Sequence, residues 1–152
     1  MEMRRKDKEM EQNAMERVLY DTDYGVLATA GEDGSPYGVP MNYVYEKGKV
    51  YFHGTKAQGH RNQNLSYRNR VCFTVVCNNE VLADSFNTRF ESVILTGIMK
   101  EVTEGREEVL KKFLEKYSGA YMEKGMKYIA SAIDKVMVYE MTVEDMTGKA
   151  KY

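Results

Sequence analysis

Three short β-type runs divided by two tight-turn signals constrain this chain most. Tyr24–Thr29 is rich in strand-forming residues, and Pro36–Tyr45 and Val50–His53 follow it. Between the first two lies Gly31-Glu32-Asp33-Gly34-Ser35, with Asp33-Gly34 a hairpin signal. Between the second and third lies Glu46-Lys47-Gly48-Lys49. Connections this short cannot hold a crossover helix, so the three strands form an antiparallel meander. Pro36 and Pro40 place the second strand at an edge or a bulge, because proline cannot donate to the ladder.

The rest of the chain is read around that meander. Apolar residues at Met10, Ala14, Met15, Val18 and Leu19 predict an N-terminal helix over 7–20, its other face highly charged. Thr55–Asn69 loses the alternation and reads as a loop and a short helix anchored by Leu65. Val71–Val76 is a strand, 77–90 reads as a long polar loop, and Ser92–Glu101 is a strand apolar on both faces. Burial of both faces fits a closed barrel or a subunit interface. Val109, Leu110, Phe113, Leu114 and Tyr117 give the stripe of a helix that Thr103 could cap and Gly119 could end. Tyr121–Ala132 is a weaker helix, and Lys135–Val143 reads as the last strand. Early clustering of strands points to an antiparallel α+β barrel, not alternating βαβ units.

At 152 residues the chain has the length of one domain. Its formal charge of −1 argues against a nucleic-acid partner. No apolar run approaches a membrane span, and the first 18 residues contain no apolar signal core, so the expected location is cytoplasmic. Cys72 and Cys77 build no disulfide framework and read as buried free thiols, five residues apart and on opposite faces of a strand. Two histidines without metal-ligand spacing imply no metal site.

Two stretches carry chemistry. Tyr51–Arg70 reads YFHGTKAQGHRNQNLSYRNR and holds His53, Lys56, His60, Arg61, Arg68 and Arg70, with no Asp or Glu from 47 to 79. Glycines that admit close backbone approach, next to hydroxyl and guanidinium donors, suit a phosphate. From composition alone, the same window is equally compatible with a solvated basic surface. The second stretch, Gly34–Tyr43, is a proline-bent strand with Asn42 among apolar neighbours. A buried Asn needs hydrogen-bond partners, which either a neighbouring strand or a heteroaromatic ligand would supply.

The order GVLAT, DGSPYGVPMNYVY, KGKVYFHG, GHR and NRVCFTVV, resumed at FESVILTG and MTGK, resembles the pyridoxamine 5′-phosphate oxidase-like flavoproteins, and within them the 5-nitroimidazole resistance branch. The resemblance implies a mainly β fold with peripheral helices: an FMN-binding split β-barrel, one domain over 1–152, homodimeric, with FMN at the interface. It implies that Pro40, Met41, Asn42 and Tyr43 line the flavin ring. Tyr51, Phe52, His53 and Gly54 would floor the site. Thr55, Lys56, Gly59, His60 and Arg61 would hold the phosphate, and Ser92 would lie near the cofactor. His53 matches a histidine which that branch places beside the flavin, and it is the expected catalytic residue. A hydrogen-bonded strand-end histidine without a catalytic role remains the alternative for His53. The arginine cluster near the C-terminus of the vitamin B6 oxidases has no counterpart in Thr147–Tyr152. The implied activity is flavin-mediated electron transfer from a reduced donor to a small acceptor. A non-catalytic flavin or haem binder on the same barrel is the alternative.

Overall fold

The computed structural model describes residues 2–56 and 59–152. Seven strands form one antiparallel sheet: β1 (Tyr24–Ala30), β2 (Pro36–Asn42), β3 (Val44–Glu46), β4 (Lys49–Thr55), β5 (Arg70–Leu82), β6 (Asn87–Val102) and β7 (Val136–Lys151). Their order is β2-β1-β5-β6-β7-β4-β3. The two edge strands, β2 and β3, are separated in sequence by Tyr43 alone. The sheet must therefore curl until its edges meet, which produces the expected split barrel.

Strand pairing decides what each side chain faces. Val39, Leu27, Phe73, Leu95 and Met146 lie in one register row and point into the barrel. Tyr43 and Phe52 pack edge-to-face on Phe73 at 4.9 and 5.0 Å between ring centroids. The adjacent row, Pro40, Val26, Thr74, Ile94 and Thr147, points outward. Helix α1 (Gln12–Asp21) closes one side of the barrel with Met15, Val18 and Leu19. Helices α3 (Arg106–Tyr117) and α4 (Met122–Ala132) cover the outer face of β4 and β7 through a second cluster of Val44, Val109, Leu110, Phe113, Ile129 and Val138. The short helix α2 (His60–Tyr67) bridges the split: buried Asn64 donates to Thr29 Oγ1 on β1 at 3.0 Å, and Asn62 donates to the Thr55 carbonyl on β4 at 3.3 Å. Among the described residues, no helix is long and apolar enough to cross a membrane.

Several boundaries differ from the sequence reading. The strand read over Pro36–Tyr45 breaks at Tyr43 into β2 and β3 at opposite edges of the sheet, so the three runs pair as two hairpins, β1–β2 and β3–β4, and not as one meander. Residues 77–90 are a continuation of β5 and β6 as a hairpin, with Glu80 opposite Arg89. Polar side chains on both faces hide its period. The last strand runs on to Lys151, past Val143. Gly148 lets it do so, because Met10 and Met15 occupy the space a Cβ would need, and the Gly148 carbonyl accepts from Met10 N–H at 2.9 Å. That bond also holds Met10 outside the helix, so α1 starts at Gln12, not near residue 7. Gly105, in the left-handed conformation at φ +77°, starts α3 in place of Thr103. The two cysteines are free but only half-buried, not fully buried.

Candidate functional site

Gly54 and Arg61 define the site. On β4, Val50 and Phe52 point into the barrel, and Gly54 continues that face. Where Gly54 lacks a side chain, the Arg61 guanidinium lies on the backbone: a Cβ there would press on Nη2 and sit 3.0 Å from Cζ and Nη1. The fork is held from behind. Arg61 Nε and Nη2 both donate to Asn62 Oδ1, at 3.1 and 3.0 Å, and the Tyr139 hydroxyl donates to the same oxygen at 3.5 Å. Nη1 lies 3.3 Å from the Met41 sulfur. Among the described residues no carboxylate pairs with Arg61, Lys56 or His60. A guanidinium positioned by neutral groups keeps its charge for something else.

The other cations of the basic stretch are engaged elsewhere. Arg68 donates to the Gly31 and Glu32 carbonyls at 3.0 and 3.1 Å and locks the β1–β2 turn. Arg70 pairs with Glu144 at 2.7 Å. The window therefore divides into structural cations (Arg68, Arg70) and residues without a carboxylate partner among the described residues (Lys56, His60, Arg61). Exposed His60 stands beside Tyr37, with 5.4 Å between rings. Thr55 and Gly59 are exposed on the strand end and at the helix start, and among the described residues nothing lies within 4 Å of where a Gly59 Cβ would stand.

His53 points to the opposite face of β4 from Gly54. Its ring meets Phe113 of α3 edge-on at 4.6 Å, and the residue as a whole is exposed. Desolvation against that helix, and secondarily the charge of Arg61, hold its pKa below the usual imidazole range. At neutral pH the ring is neutral, with one nitrogen to donate a proton and one to accept.

The remaining predicted residues separate by face. Met41 and Tyr43 are buried in the barrel, and the Tyr43 hydroxyl donates to the Leu19 carbonyl at 2.7 Å. Phe52 is buried there too, leaving only its backbone for any ligand. Pro40 and Asn42 point outward. Asn42 is exposed, contrary to its expected apolar burial, because it lies on an edge strand and donates to the Asp23 carbonyl at 3.0 Å. The Tyr51 hydroxyl lies 3.4 Å from Glu140, a buried carboxylate that also takes Lys49 at 2.7 Å and Lys100 at 3.1 Å. Ser92 is remote from His53: they pair with Lys149 and Val138 of β7, about 35 Å apart along an extended strand. Ser92 instead lines a surface cavity of about 170 Å³ with Arg4, Arg5, Thr147 and Lys149. A single chain brings Gly54 together with Arg61, Asn62 and Met41, sets His53 on the opposite face of β4, and leaves Ser92 apart.

Asn62 and Tyr139, which position Arg61, escaped the sequence reading. Asn62 adjoins Arg61, and that adjacency was the available signal. Tyr139 reaches it only because β7 pairs with β4, with Tyr139 opposite Phe52.

Comparison with known proteins follows the same lines. A family model described as pyridoxamine 5′-phosphate oxidase matches residues 11–150. A candidate 5-nitroimidazole antibiotic resistance protein from Bacteroides thetaiotaomicron superposes with a TM-score of 0.74 at 23% identity, over 93% of this chain and 85% of that one. A conserved hypothetical protein from Mycobacterium tuberculosis gives 0.81 at 20% identity, over 98% and 90%. The flavocytochrome Anf3 of Azotobacter vinelandii gives 0.76 at 21% identity, over 99% and 72%. No curated protein sequence matches the chain.

Proposed function

Because the chain belongs to the pyridoxamine 5′-phosphate oxidase family, and because the Arg61 guanidinium lies on a glycine-opened strand end, we propose that it is an FMN-dependent oxidoreductase working as a homodimer. The observation that carries this reading is Arg61, laid on the Gly54 backbone and held by neutral Asn62 without a carboxylate partner among the described residues. That donor set fits a phosphate: a planar fork, an ammonium and a hydroxyl, in a stretch free of Asp and Glu from 47 to 79. Arg61, Lys56, His60 and Thr55 would hold the FMN phosphate, and Pro40 and Asn42 would border the ring from the outer face of β2. FMN, when bound, supplies two-electron redox chemistry between a reduced nicotinamide donor and a small acceptor. The protein's own residues position, exclude water and manage protons. His53, neutral at pH 7, would hold a proton for the acceptor at a ring nitrogen. The acceptor class we favour is the nitro-heteroaromatics, on the resemblance of His53-Gly54 to the nitroimidazole-resistance branch.

A second copy fits the outer sheet face. Tyr24, Val26 and Val76 are exposed there, with Ile94 half-exposed beside them. Apolar side chains gathered on one sheet face require a cover, and a symmetric partner supplies one.

The absorption spectrum of the purified protein tests the reading. A flavin band, together with oxidation of reduced nicotinamide that depends on an added nitroimidazole, is the expected result. A Soret band would transfer the protein to the haem binders. A colourless protein that ignores added FMN would end the cofactor assignment.

A further inference from the structure

The last two turns of α3 tie His53 to the point where the barrel is split. Phe113 and Tyr117 stand four residues apart, so they share one face of the helix, and their rings stack at 6.1 Å between centroids. At one end of the pair, Phe113 meets the His53 imidazole edge-on at 4.6 Å. At the other end, Tyr117 is fixed by its hydroxyl. The oxygen accepts from Tyr43 N–H at 3.0 Å, and its single hydrogen is within reach of the Asp23 and Tyr43 carbonyls, at 2.6 and 2.8 Å. Lys116 reinforces the same spot, donating to the Thr22 and Tyr43 carbonyls at 2.8 and 3.1 Å. Tyr43 is the residue at which the chain passes from one sheet edge to the other, and α3 takes up both of its backbone polar groups. A hydroxyl bonded to main chain as both donor and acceptor leaves its ring little freedom to turn. Phe113, 6% exposed, cannot swing out without opening the cluster it shares with Val44, Val109 and Val138. His53 is held differently. Pairing with Val138 fixes its backbone in β4, and what meets its ring is Phe113.

We propose that Phe113 and Tyr117 are positioning residues for His53: a two-ring prop, rooted in the Tyr43 backbone, that sets the angle of the imidazole and keeps water off one side of it. The proposal rests on the reading of His53 as the group that holds a proton for the acceptor. A proton passes along a hydrogen bond of about 2.6–3.2 Å, so a modest ring rotation decides whether His53 can serve. The same contact desolvates the imidazole and, with the charge of Arg61 from α2, keeps it neutral at pH 7. The other charged groups on the neighbouring elements are engaged with one another. Glu140 of β7, diagonal to His53, takes Lys49 and Lys100 and lies 3.4 Å from the Tyr51 hydroxyl. On α3, Lys112 pairs with Glu46 and Lys116 is turned to carbonyls.

The chain has two imidazoles, His53 and His60, and His53→Ala assigns their proton resonances. In protein free of flavin, the expected titration of His53 has its midpoint below 6.5. Phe113→Ala should raise that midpoint by about half a pH unit or more, because water then reaches the ring. Removing a buried ring can also unfold a domain, so Tyr117→Phe is the second test. It keeps both rings and deletes the anchoring hydroxyl. The midpoint should move in the same direction by a smaller amount, and the nuclear Overhauser contact between His53 and Phe113 should weaken, with the His60 signal as internal reference. In the flavin-loaded enzyme Tyr117→Phe should lower kcat severalfold with KM little changed, and the pH profile of kcat should move with the NMR midpoint. An unchanged His53 midpoint in folded Phe113→Ala overturns the prop. An unchanged midpoint and contact in Tyr117→Phe overturn its root at Tyr43, and with it the proposal. The titrations need neither flavin nor turnover. Failure of the oxidoreductase reading shows separately, as absence of a flavin band, and failure of the role of His53 as unchanged turnover in His53→Ala.

Discussion

An alanine at position 54 would drive its Cβ into Arg61, pressing on Nη2 and lying 3.0 Å from both Cζ and Nη1. The obstructed atoms are the far end of a flexible side chain, so the guanidinium can swing away and the barrel need not distort. Gly54 sits inside β4, paired with Met137. Replacing a strand glycine by alanine reduces unfolded-state entropy and offsets part of any strain, so stability should change by less than about 1 kcal/mol. Ligand binding should respond far more. Displacing the fork breaks its bonds to Asn62 and moves its charge off the strand end. If the fork holds a phosphate, one charge-assisted hydrogen bond of about 1.5–3 kcal/mol is lost, or roughly 10- to 150-fold in FMN affinity. Flavin fluorescence titration measures that loss, and thermal unfolding followed by circular dichroism checks the fold. The two positions act through one guanidinium, so Gly54→Ala added to Arg61→Ala should cost little beyond Arg61→Ala alone. Wild-type affinity in Gly54→Ala, or full additivity in the double variant, would refute the assignment of Arg61 to the phosphate.

Three further outcomes follow from the geometry. Gly97→Ala sets a Cβ against the Thr142 carbonyl and 3.2 Å from Val143 Cα, where only backbone could give way, so urea denaturation should show a loss of at least about 1–3 kcal/mol. His53→Ala should leave FMN affinity intact and lower turnover by about 10²-fold, the size of a lost proton-transfer group; unchanged turnover would reduce His53 to a packing partner of Phe113. Lys116, donating to the Thr22 and Tyr43 carbonyls over the Tyr43 ring, has a pKa lowered by burial to about 8. Between about pH 8 and the ordinary lysine pKa of 10.5 the unfolded chain binds more protons than the folded one, so stability should rise with pH across that window relative to Lys116→Met.

Much of the fold is legible in the chain because its signals are local. Asp33-Gly34 and Lys47-Gly48 make hairpins through the backbone freedom of two or three residues, and the stripe from Val109 to Tyr117 makes a helix through its own period. The 77–90 hairpin was not legible, since polar side chains such as Asn78, Asn79 and Asn87 mask strand alternation, and pairing with the opposite strand holds it extended. The reach of β7 to Lys151 was hidden for a similar reason: Gly148 reads as a strand breaker until Met10 and Met15 are seen to need its missing side chain.

The candidate site divides in the same way. By itself the sequence determined its charge, since a window without Asp or Glu from 47 to 79 stays basic however it folds. It could not determine which cations are free, because pairing depends on distances between residues far apart in the chain. Arg68 is committed to a turn more than thirty residues away and Arg70 to Glu144, while Arg61 is left held by Asn62 and Tyr139. Strand register likewise decided that Met41, Tyr43 and Phe52 belong to the barrel interior and that Ser92 stands some 35 Å along β7 from the partner of His53. Residue type fixes what a side chain can do, whereas the curled sheet fixes which of them meet.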